Sequence, residues 1–210
     1  MGIFAEKGYH HASVRDVAAA TGVSPAGLYY YFRSKEELLF LILEHALSTL
    51  LRQVEEEARR IRDPEPRIAA IIQAHLAFFR EHPPEMRVLV RDWDALTGEL
   101  RGRVVRLQTR YTGLVLRTLK ELRPDAPRTA RKAATMALFG MVNWMYQWYR
   151  PEEDLPLEEM GNQFTWIFLR GFLSEEGQSK GTGSPAGTQG EPLSSASPEK
   201  ARSLLAGPGF

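Results

Sequence analysis

Closely spaced prolines divide the larger part of this chain into segments of helical length. They are Pro64 and Pro66, Pro83 and Pro84, Pro124 and Pro127, and Pro151 and Pro156. A residue that precedes a proline is pushed out of the helical region, so each group predicts a helix end. Between the groups, apolar residues recur at helical spacing, and no stretch alternates apolar and polar residues as a half-buried strand does. The sequence therefore predicts an all-α fold.

Six helices are predicted between these boundaries. The first begins at the N-cap Ser34, where Glu37 three residues later completes a capping box. The six predicted helices cover residues 34–62, 67–81, a stretch from the prolines at 83–84 to about 96, 99–122, 128–149 and 157–173. Shorter helices are predicted nearer the N-terminus.

Residues 13–38, SVRDVAAATGVSPAGLYYYFRSKEEL, have the layout of a helix-turn-helix. Ser13 caps a first helix, and Gly22 can adopt the positive φ that ends it. Ser24 caps a second helix, predicted over Pro25–Phe32, whose proline sits at the first helical position. The second helix of such a unit lies in the major groove of DNA and presents its N-terminal residues to the bases.

The predicted recognition helix has an unusual surface. Leu28 and Phe32 share the face that packs on the preceding helix, which places Tyr29 and Tyr30 on the outer side. Their hydroxyls could donate hydrogen bonds to phosphates, and Lys35 could neutralise a phosphate charge. Taken singly, tyrosines are more often packing residues and a lysine is usually a solvated charge. At this spacing the set favours DNA binding.

The stretch EKGYHHASVRDVAAATGVSPAGLYYYFRSKEELL resembles the DNA-binding signature of the TetR family of transcriptional regulators over its whole length. The resemblance implies three DNA-side helices, a ligand-binding body of about six more, and a homodimer on double-stranded, palindromic operator DNA. The positions that match the family's DNA-contacting sites are Ser13, Val14, Pro25, Ala26, Gly27, Tyr29, Tyr30 and Lys35.

In that family the first helix normally begins well before Phe4, usually behind a basic arm, whereas this sequence begins inside that helix at Met1. Residues 1–48 carry four Lys or Arg against five Asp or Glu, so no basic patch supports DNA binding. We therefore expect the chain as given to bind DNA weakly.

The expected domains are a DNA-binding unit at 1–40, a helical ligand-binding and dimerisation domain at 41–173, and a disordered tail at 174–210. Gly, Pro and Ser supply 18 of the tail's 37 residues, a composition that cannot build a core. Residues 136–149 of the predicted helix at 128–149 are apolar or aromatic on nearly every face, so a second subunit could cover what the body does not. Its alternative interpretation is a single buried core helix. In the last helix, Gly161 and Gly171 would permit close helix approach.

The C-terminal stretch GMVNWMYQWYRPEEDLPLEEMGNQFTWIFLRGF resembles the FadR-like branch of the family, whose members control fatty-acid and related degradation and respond to coenzyme A thioesters. An acyl-CoA needs an apolar slot for its chain and cations for its phosphates. The arginines of the long helix align on one face, which a solvated charged surface would explain equally well. Asn143 is the expected polar anchor. The candidate ligand-binding residues are Phe78, Phe79, Trp93, Arg103, Arg106, Arg110, Tyr111, Phe139, Asn143, Trp144 and Trp148.

Other classes of function find little support in the sequence. The five histidines lack metal-ligand spacing, and no phosphate-binding glycine loop follows a strand. The neighbouring Asp92 and Asp94 are poorly placed for joint acid–base catalysis. We therefore expect that the protein is not an enzyme and has no cofactor. No apolar run is long enough to cross a membrane, and the absence of cysteine fits a cytoplasmic protein. The alternatives to acyl-CoA are another hydrophobic effector, of the drug or efflux type, and a regulator without ligand control.

Overall fold

A computed structural model describes residues 2–174, and the predicted tail lies outside these residues except for Ser174. Within this range the secondary structure is entirely helical and confirms the predicted all-α fold. A short 3-10 helix, Trp93–Ala95, follows the sixth helix. The α-helices are α1 Gly2–Lys7, α2 Val14–Thr21, α3 Pro25–Leu28, α4 Lys35–Arg60, α5 Pro64–Glu81, α6 Pro83–Arg91, α7 Gly98–Leu122, α8 Arg128–Trp148 and α9 Leu157–Leu173.

The predicted boundaries hold to within a few residues, with two informative exceptions. Helix α5 begins at Pro64, where the sequence predicts a start at Arg67. Both Pro64 and Pro66 fit in its first turn because the N–H groups of a first turn have no helical partner in any case. The predicted third helix is interrupted at Asp92, whose N–H still donates to Val88 O, and the chain then tightens into the 3-10 helix.

The main hydrophobic core lies between α4, α5, α7 and α8, with α6 and α9 closing its sides. Each of the four central helices contributes residues that are 0% exposed, such as Leu39 of α4, Ile68 of α5, Val115 of α7 and Met145 of α8. Helix α1 joins the same core through Phe4, which is 1% exposed. A separate small cluster of Ala18, Leu28 and Phe32 holds α2 and α3 together.

Helix α4 runs without interruption from the predicted DNA-binding unit into the body. Its first turn also contacts the body, because Glu36 Oε1 accepts hydrogen bonds from Thr97 N at 2.7 Å and Thr97 Oγ1 at 2.8 Å. The position of the small N-terminal unit is therefore tied to the N-terminus of α7. No helix within residues 2–174 has the length and apolar character needed to span a membrane.

Candidate DNA-binding surface and ligand cavity

The reading head, residues 13–35, begins at a well-capped helix. Ser13 Oγ accepts a hydrogen bond from Asp16 N at 3.2 Å, and the Asp16 carboxylate accepts one from Ser13 N at 2.8 Å. Lys7 Nζ lies 2.7 Å from Asp16 Oδ1. The bonds from Lys7 and Ser13 hold the pKa of Asp16 well below its usual range. Gly22 ends α2 with a φ of 70°, as predicted.

The recognition helix is shorter than predicted. Ser24 Oγ accepts from Gly27 N at 3.1 Å and Pro25 opens the helix, but regular α-helix ends at Leu28 instead of Phe32. The N–H groups of Tyr30 and Tyr31 donate to the third residue before them, at 3.3 and 2.9 Å. Three consecutive aromatic residues lose rotamer freedom in an α-helix, and a tighter 3-10 turn is common at helix ends. Leu28 and Phe32 are nevertheless buried, as predicted.

The tyrosines point to solvent. Tyr30 is 87% exposed, Tyr31 72% and Tyr29 51%. Of the other predicted DNA contacts, Ser13, Pro25 and Ala26 are exposed, whereas Val14 and Gly27 are half-buried. Arg15 and Arg33 are two further exposed cations within the reading head.

Besides its predicted phosphate contact, Lys35 has a structural role that the sequence did not predict. Its ammonium donates to Tyr9 O and Ala12 O, each at 3.0 Å, and lies 4.3 Å from the centroid of the Tyr9 ring. These bonds join the start of α4 to the loop between α1 and α2. An ammonium has three hydrogens, so one remains for a phosphate. The predicted DNA contact of Lys35 therefore stays a prediction.

A cavity of about 340 Å³, partly open to solvent, lies in the body, and its volume is within the range of small-molecule sites. It brings together four of the predicted ligand residues, Trp93, Tyr111, Phe139 and Asn143. Among the described residues, its lining contains no Lys, Arg, Asp or Glu. The remaining lining residues are Leu47, Leu50, His75, Leu89, Gln108, Thr112 and Met136.

A buried histidine, His75, lines this cavity and is not among the predicted ligand residues. His75 is 1% exposed, and its Nδ1 lies 3.0 Å from Tyr111 Oη. Burial lowers the pKa of His75 to about 4, a shift that the neighbouring Asn143 opposes, and burial raises the pKa of the Tyr111 phenol. Both groups are therefore neutral at pH 7. His75 Nε2 is buried without a hydrogen-bond partner among residues 2–174.

The other predicted ligand residues lie elsewhere. Phe78 is 1% exposed and belongs to the core. Two of the arginines reach across to α4, where Arg103 Nη2 lies 2.6 Å from a Glu44 oxygen and Arg110 Nε lies 2.6 Å from a Glu55 oxygen. Arg106 is exposed on the same helix. These positions fit the charged-surface interpretation of the α7 arginines, because none of the three lines the cavity.

Exposed tryptophans mark the outer sides of α8 and α9. Trp144 and Trp148, both predicted ligand residues, are 58% and 37% exposed and lie outside the cavity lining. On α9, Trp166 and Ile167 are 54% and 51% exposed. The close helix approach predicted at Gly161 is to Gln73 of α5 within the same subunit. At Gly171 an added Cβ atom would have no neighbouring atom within 4 Å.

A second cavity, which we call the arginine cleft, opens where α5, α6 and α8 end or begin. Its volume is about 490 Å³. Phe79, a predicted ligand residue, lines this cleft and not the cavity around His75. The lining consists of Phe79, Arg80, Pro83, Arg87, Tyr146, Tyr149, Arg150, Pro151, Pro156 and Leu157.

Two family models match most of the described chain. The family described as bacterial regulatory proteins, tetR family, matches residues 1–42, and the tetracyclin repressor-like C-terminal domain matches residues 62–172. The HTH-type transcriptional repressor KstR2 of Mycobacterium tuberculosis is 23% identical over 181 residues, which cover 82% of this chain and 88% of that protein.

Solved structures agree with the family matches. The TetR family transcriptional regulator PfmR from Thermus thermophilus is 31% identical with a TM-score of 0.71, and the match covers 80% of this chain and 92% of that one. AibR, solved in complex with isovaleryl coenzyme A and operator DNA, has the same fold at 23% identity, with a TM-score of 0.72 and coverage of 78% and 90%.

Proposed function

We propose that this chain, which belongs to the tetR family of bacterial regulatory proteins, is a homodimeric repressor that an acyl-CoA releases from its operator. As a member of that family it is a DNA-binding transcriptional regulator and not an enzyme. The genes it controls would serve the breakdown of fatty acids or related acyl-CoAs. The effector's acyl group and thioester occupy the cavity around His75.

The observation that carries this proposal is the unpaired Nε2 of a neutral, buried His75 in a cavity whose described lining has no charged side chain. A buried polar atom without a partner costs free energy, so a ligand that supplies the missing hydrogen bond gains affinity. A thioester carbonyl can accept such a bond from an N–H donor and carries no charge. A free carboxylate would lose its hydration without a cation to replace it. The acyl-CoA complex of AibR, a protein of the same fold, supports the same class of ligand.

Helix α6 provides a physical connection between this cavity and the reading head. Leu89 and Trp93 line the cavity on either side of Arg91, whose guanidinium donates to the carbonyl oxygens of Phe4 and Ala5 at the end of α1. Asp92, 5% exposed, holds the guanidinium, with Oδ1 3.0 Å from Arg91 Nε, and this bond raises the pKa of Arg91. A ligand that moves the α6 wall therefore moves the attachment of α1.

The size of the response is set by thermodynamic linkage. An effector shifts the protein between a DNA-binding and a released conformation only by its difference in affinity for the two. Typical couplings of about 1–3 kcal/mol correspond to operator binding that is roughly 5–150-fold weaker.

The exposed apolar sides of α8 and α9 support the proposed dimerisation. Met136, Trp144 and Trp148 lie on one row of α8 at spacings of four and eight residues, and Trp166 and Ile167 are exposed on α9. Large exposed apolar surfaces usually mark interfaces. Two subunits joined through these helices would present two reading heads to the two halves of a palindromic operator.

An operator-shift titration tests the proposal. The probes are acyl-CoAs from acetyl to palmitoyl, with free coenzyme A and the matching free acids as controls. We expect at least one acyl-CoA to release the operator at micromolar concentration, and the matching acid to act far more weakly. If no acyl-CoA changes the shift at about 100 μM, well above the affinity of a dedicated site, the ligand proposal is wrong while the family assignment remains.

A second effector class has some support in the same cavity. An uncharged, largely apolar lining also suits a compact hydrophobic molecule, and KstR2 has been solved as a ketosteroid transcriptional regulator. Mass spectrometry of molecules extracted from the purified protein separates the two. A coenzyme A thioester supports the main proposal, and a steroid or drug-like compound supports the alternative.

A further inference from the structure

We propose that the arginine cleft binds the adenine nucleotide end of the effector, so that coenzyme A phosphates pair with Arg80, Arg87 and Arg150 while the thioester end lies in the cavity around His75. This inference rests on the proposed acyl-CoA response. It places the phosphate site on α5, α6 and α8, away from the α7 arginines that the sequence had suggested.

The charge of the cleft favours an anion. Three arginines line it, and among the described residues its lining has no carboxylate. Arg87 is exposed and makes no ion pair within residues 2–174. Arg80 contacts Glu81 only at 3.4 Å with both side chains largely exposed, a geometry that contributes little. The guanidinium groups of Arg80 and Arg87 are therefore available for bidentate bonds to phosphate, which their planar geometry suits. Arg150 Nη1 already donates to Tyr149 O at 3.1 Å, so this guanidinium has only its other N–H groups for a phosphate.

The aromatic side chains of the cleft favour a nucleotide over inorganic phosphate. Phe79 and Tyr149 pack edge to face, with ring centroids 6.0 Å apart at 77°, and Tyr146 lines the same cleft. Aromatic rings stack on nucleobases with a gain of about 1–3 kcal/mol per base. A cleft that combines such rings with arginines is suited to an adenine ring and its phosphates.

The cleft and the cavity lie on consecutive turns of the same helices. Phe79 follows His75 by four residues on α5, and Tyr146 follows Asn143 by three on α8. Arg150, just after α8, lies seven residues beyond Asn143, a rise of about 10 Å at helical geometry. The pantetheine arm of coenzyme A, which separates the thioester from the phosphates, is long enough to span this interval.

The test compares two probes that differ only in the nucleotide. Octanoyl-CoA has it and octanoyl-pantetheine lacks it, and calorimetry of the full chain measures the Kd of each. We expect Arg87→Gln to weaken octanoyl-CoA about tenfold, which corresponds to about 1.4 kcal/mol, and to leave octanoyl-pantetheine unchanged. Arg52→Gln, an exposed arginine of α4, is the matched control and should change neither Kd. Added salt should weaken only the octanoyl-CoA complex.

The outcomes separate this inference from the proposed function. If Arg106→Gln weakens octanoyl-CoA binding and Arg87→Gln does not, the phosphates lie at α7. This result would overturn the inference, although the acyl-CoA response would stand. An equal loss for both probes would also overturn it. If wild-type protein binds no acyl-CoA from acetyl to palmitoyl, the proposed function fails, and ADP then tests the cleft alone. ADP binding that Arg87→Gln abolishes would support a nucleotide site, and no ADP binding would overturn it.

Discussion

His75 has a neutral imidazole because of where it lies. Its surroundings are the apolar lining of the cavity, the Tyr111 hydroxyl and Asn143, and none of these supplies a negative charge that would stabilise an imidazolium. Burial therefore dominates and lowers the pKa of His75 to about 4. A neutral imidazole offers one donor and one acceptor, which suits it to the uncharged thioester of the proposed effector.

The pKa of His75 predicts a pH-dependent stability. Below pH 6.5 an unfolded histidine binds a proton, but the folded protein takes it up only near pH 4, so stability falls as the pH decreases through this window. Between pH 7 and pH 5 the loss from this one residue is about 2 kcal/mol. Urea unfolding at both pH values should show this loss in wild-type protein and not in His75→Gln. His45→Gln, at an exposed position on α4, should behave like wild type. An equal loss in all three proteins would contradict the prediction.

Lys35 holds the start of α4 to the loop between α1 and α2, and it is also a predicted DNA contact. Replacing it with methionine keeps an unbranched side chain over Tyr9 but removes the donor to the Tyr9 and Ala12 carbonyls. We expect Lys35→Met to lower the unfolding free energy by about 1–3 kcal/mol. If its remaining hydrogen contacts a phosphate, the slope of log affinity against log salt also falls by about one. Operator binding from about 50 to 200 mM salt measures this slope. A lower stability with an unchanged slope would leave Lys35 a structural role only.

At the scale of helices, the contact between α5 and α9 depends on a residue without a side chain. A methyl group at Gly161 would lie 2.5 Å from Gln73 Nε2. Gln73 cannot easily move away, since this nitrogen donates to Glu158 O at 2.9 Å and to Asn162 Oδ1 at 3.1 Å. The glycine therefore allows α5 and α9 to pack closely and to share these hydrogen bonds.

A pair of substitutions on one helix tests this contact. Gly161→Ala should destabilise the fold by about 1–3 kcal/mol, because overpacking displaces Gln73. Gly171→Ala, on the same helix with nothing within 4 Å of the added methyl group, should instead gain up to about 1 kcal/mol from helix propensity. Thermal unfolding at equal protein concentration compares them. Similar midpoints for the two variants would show that Gln73 adapts at little cost.

For the whole molecule, the proposed dimer and the proposed release mechanism depend on each other. The reading head is attached to the body through α4, whose Glu36 accepts a hydrogen bond from Thr97 at the start of α7. Helix α1, next to the head, is held by Arg91 at the end of α6. The distance between two heads in a dimer is consequently set by how α8 and α9 pair and by the position of α6.

A charge on α9 should separate the subunits. Ile167→Glu places a carboxylate on the exposed apolar side, where burial without a partner would cost several kcal/mol. We expect a monomer in analytical ultracentrifugation and a large loss of operator affinity, because one head contacts only half of the site. Leu41→Glu alters an apolar residue of similar exposure on α4, 42% against 51%, and should remain dimeric. A dimer that persists in Ile167→Glu would place the interface on another surface.

Local chemistry explains why the positions of the helices and the layout of the reading head could be predicted from sequence. Proline, capping serines and Gly22 affect the backbone of the residues next to them, so their effects can be predicted without knowing the fold. The residues that each helix face contacts cannot be predicted from such local effects. Helical spacing showed that the α7 arginines share a face, but only packing shows that Arg103 and Arg110 meet glutamates of α4. Packing likewise joins His75 to Tyr111, 36 residues away, and places Arg80, Arg87 and Arg150 around one cleft. Sequence periodicity determines which residues share one face of a helix. Packing between helices that are far apart in sequence determines which residues that face contacts.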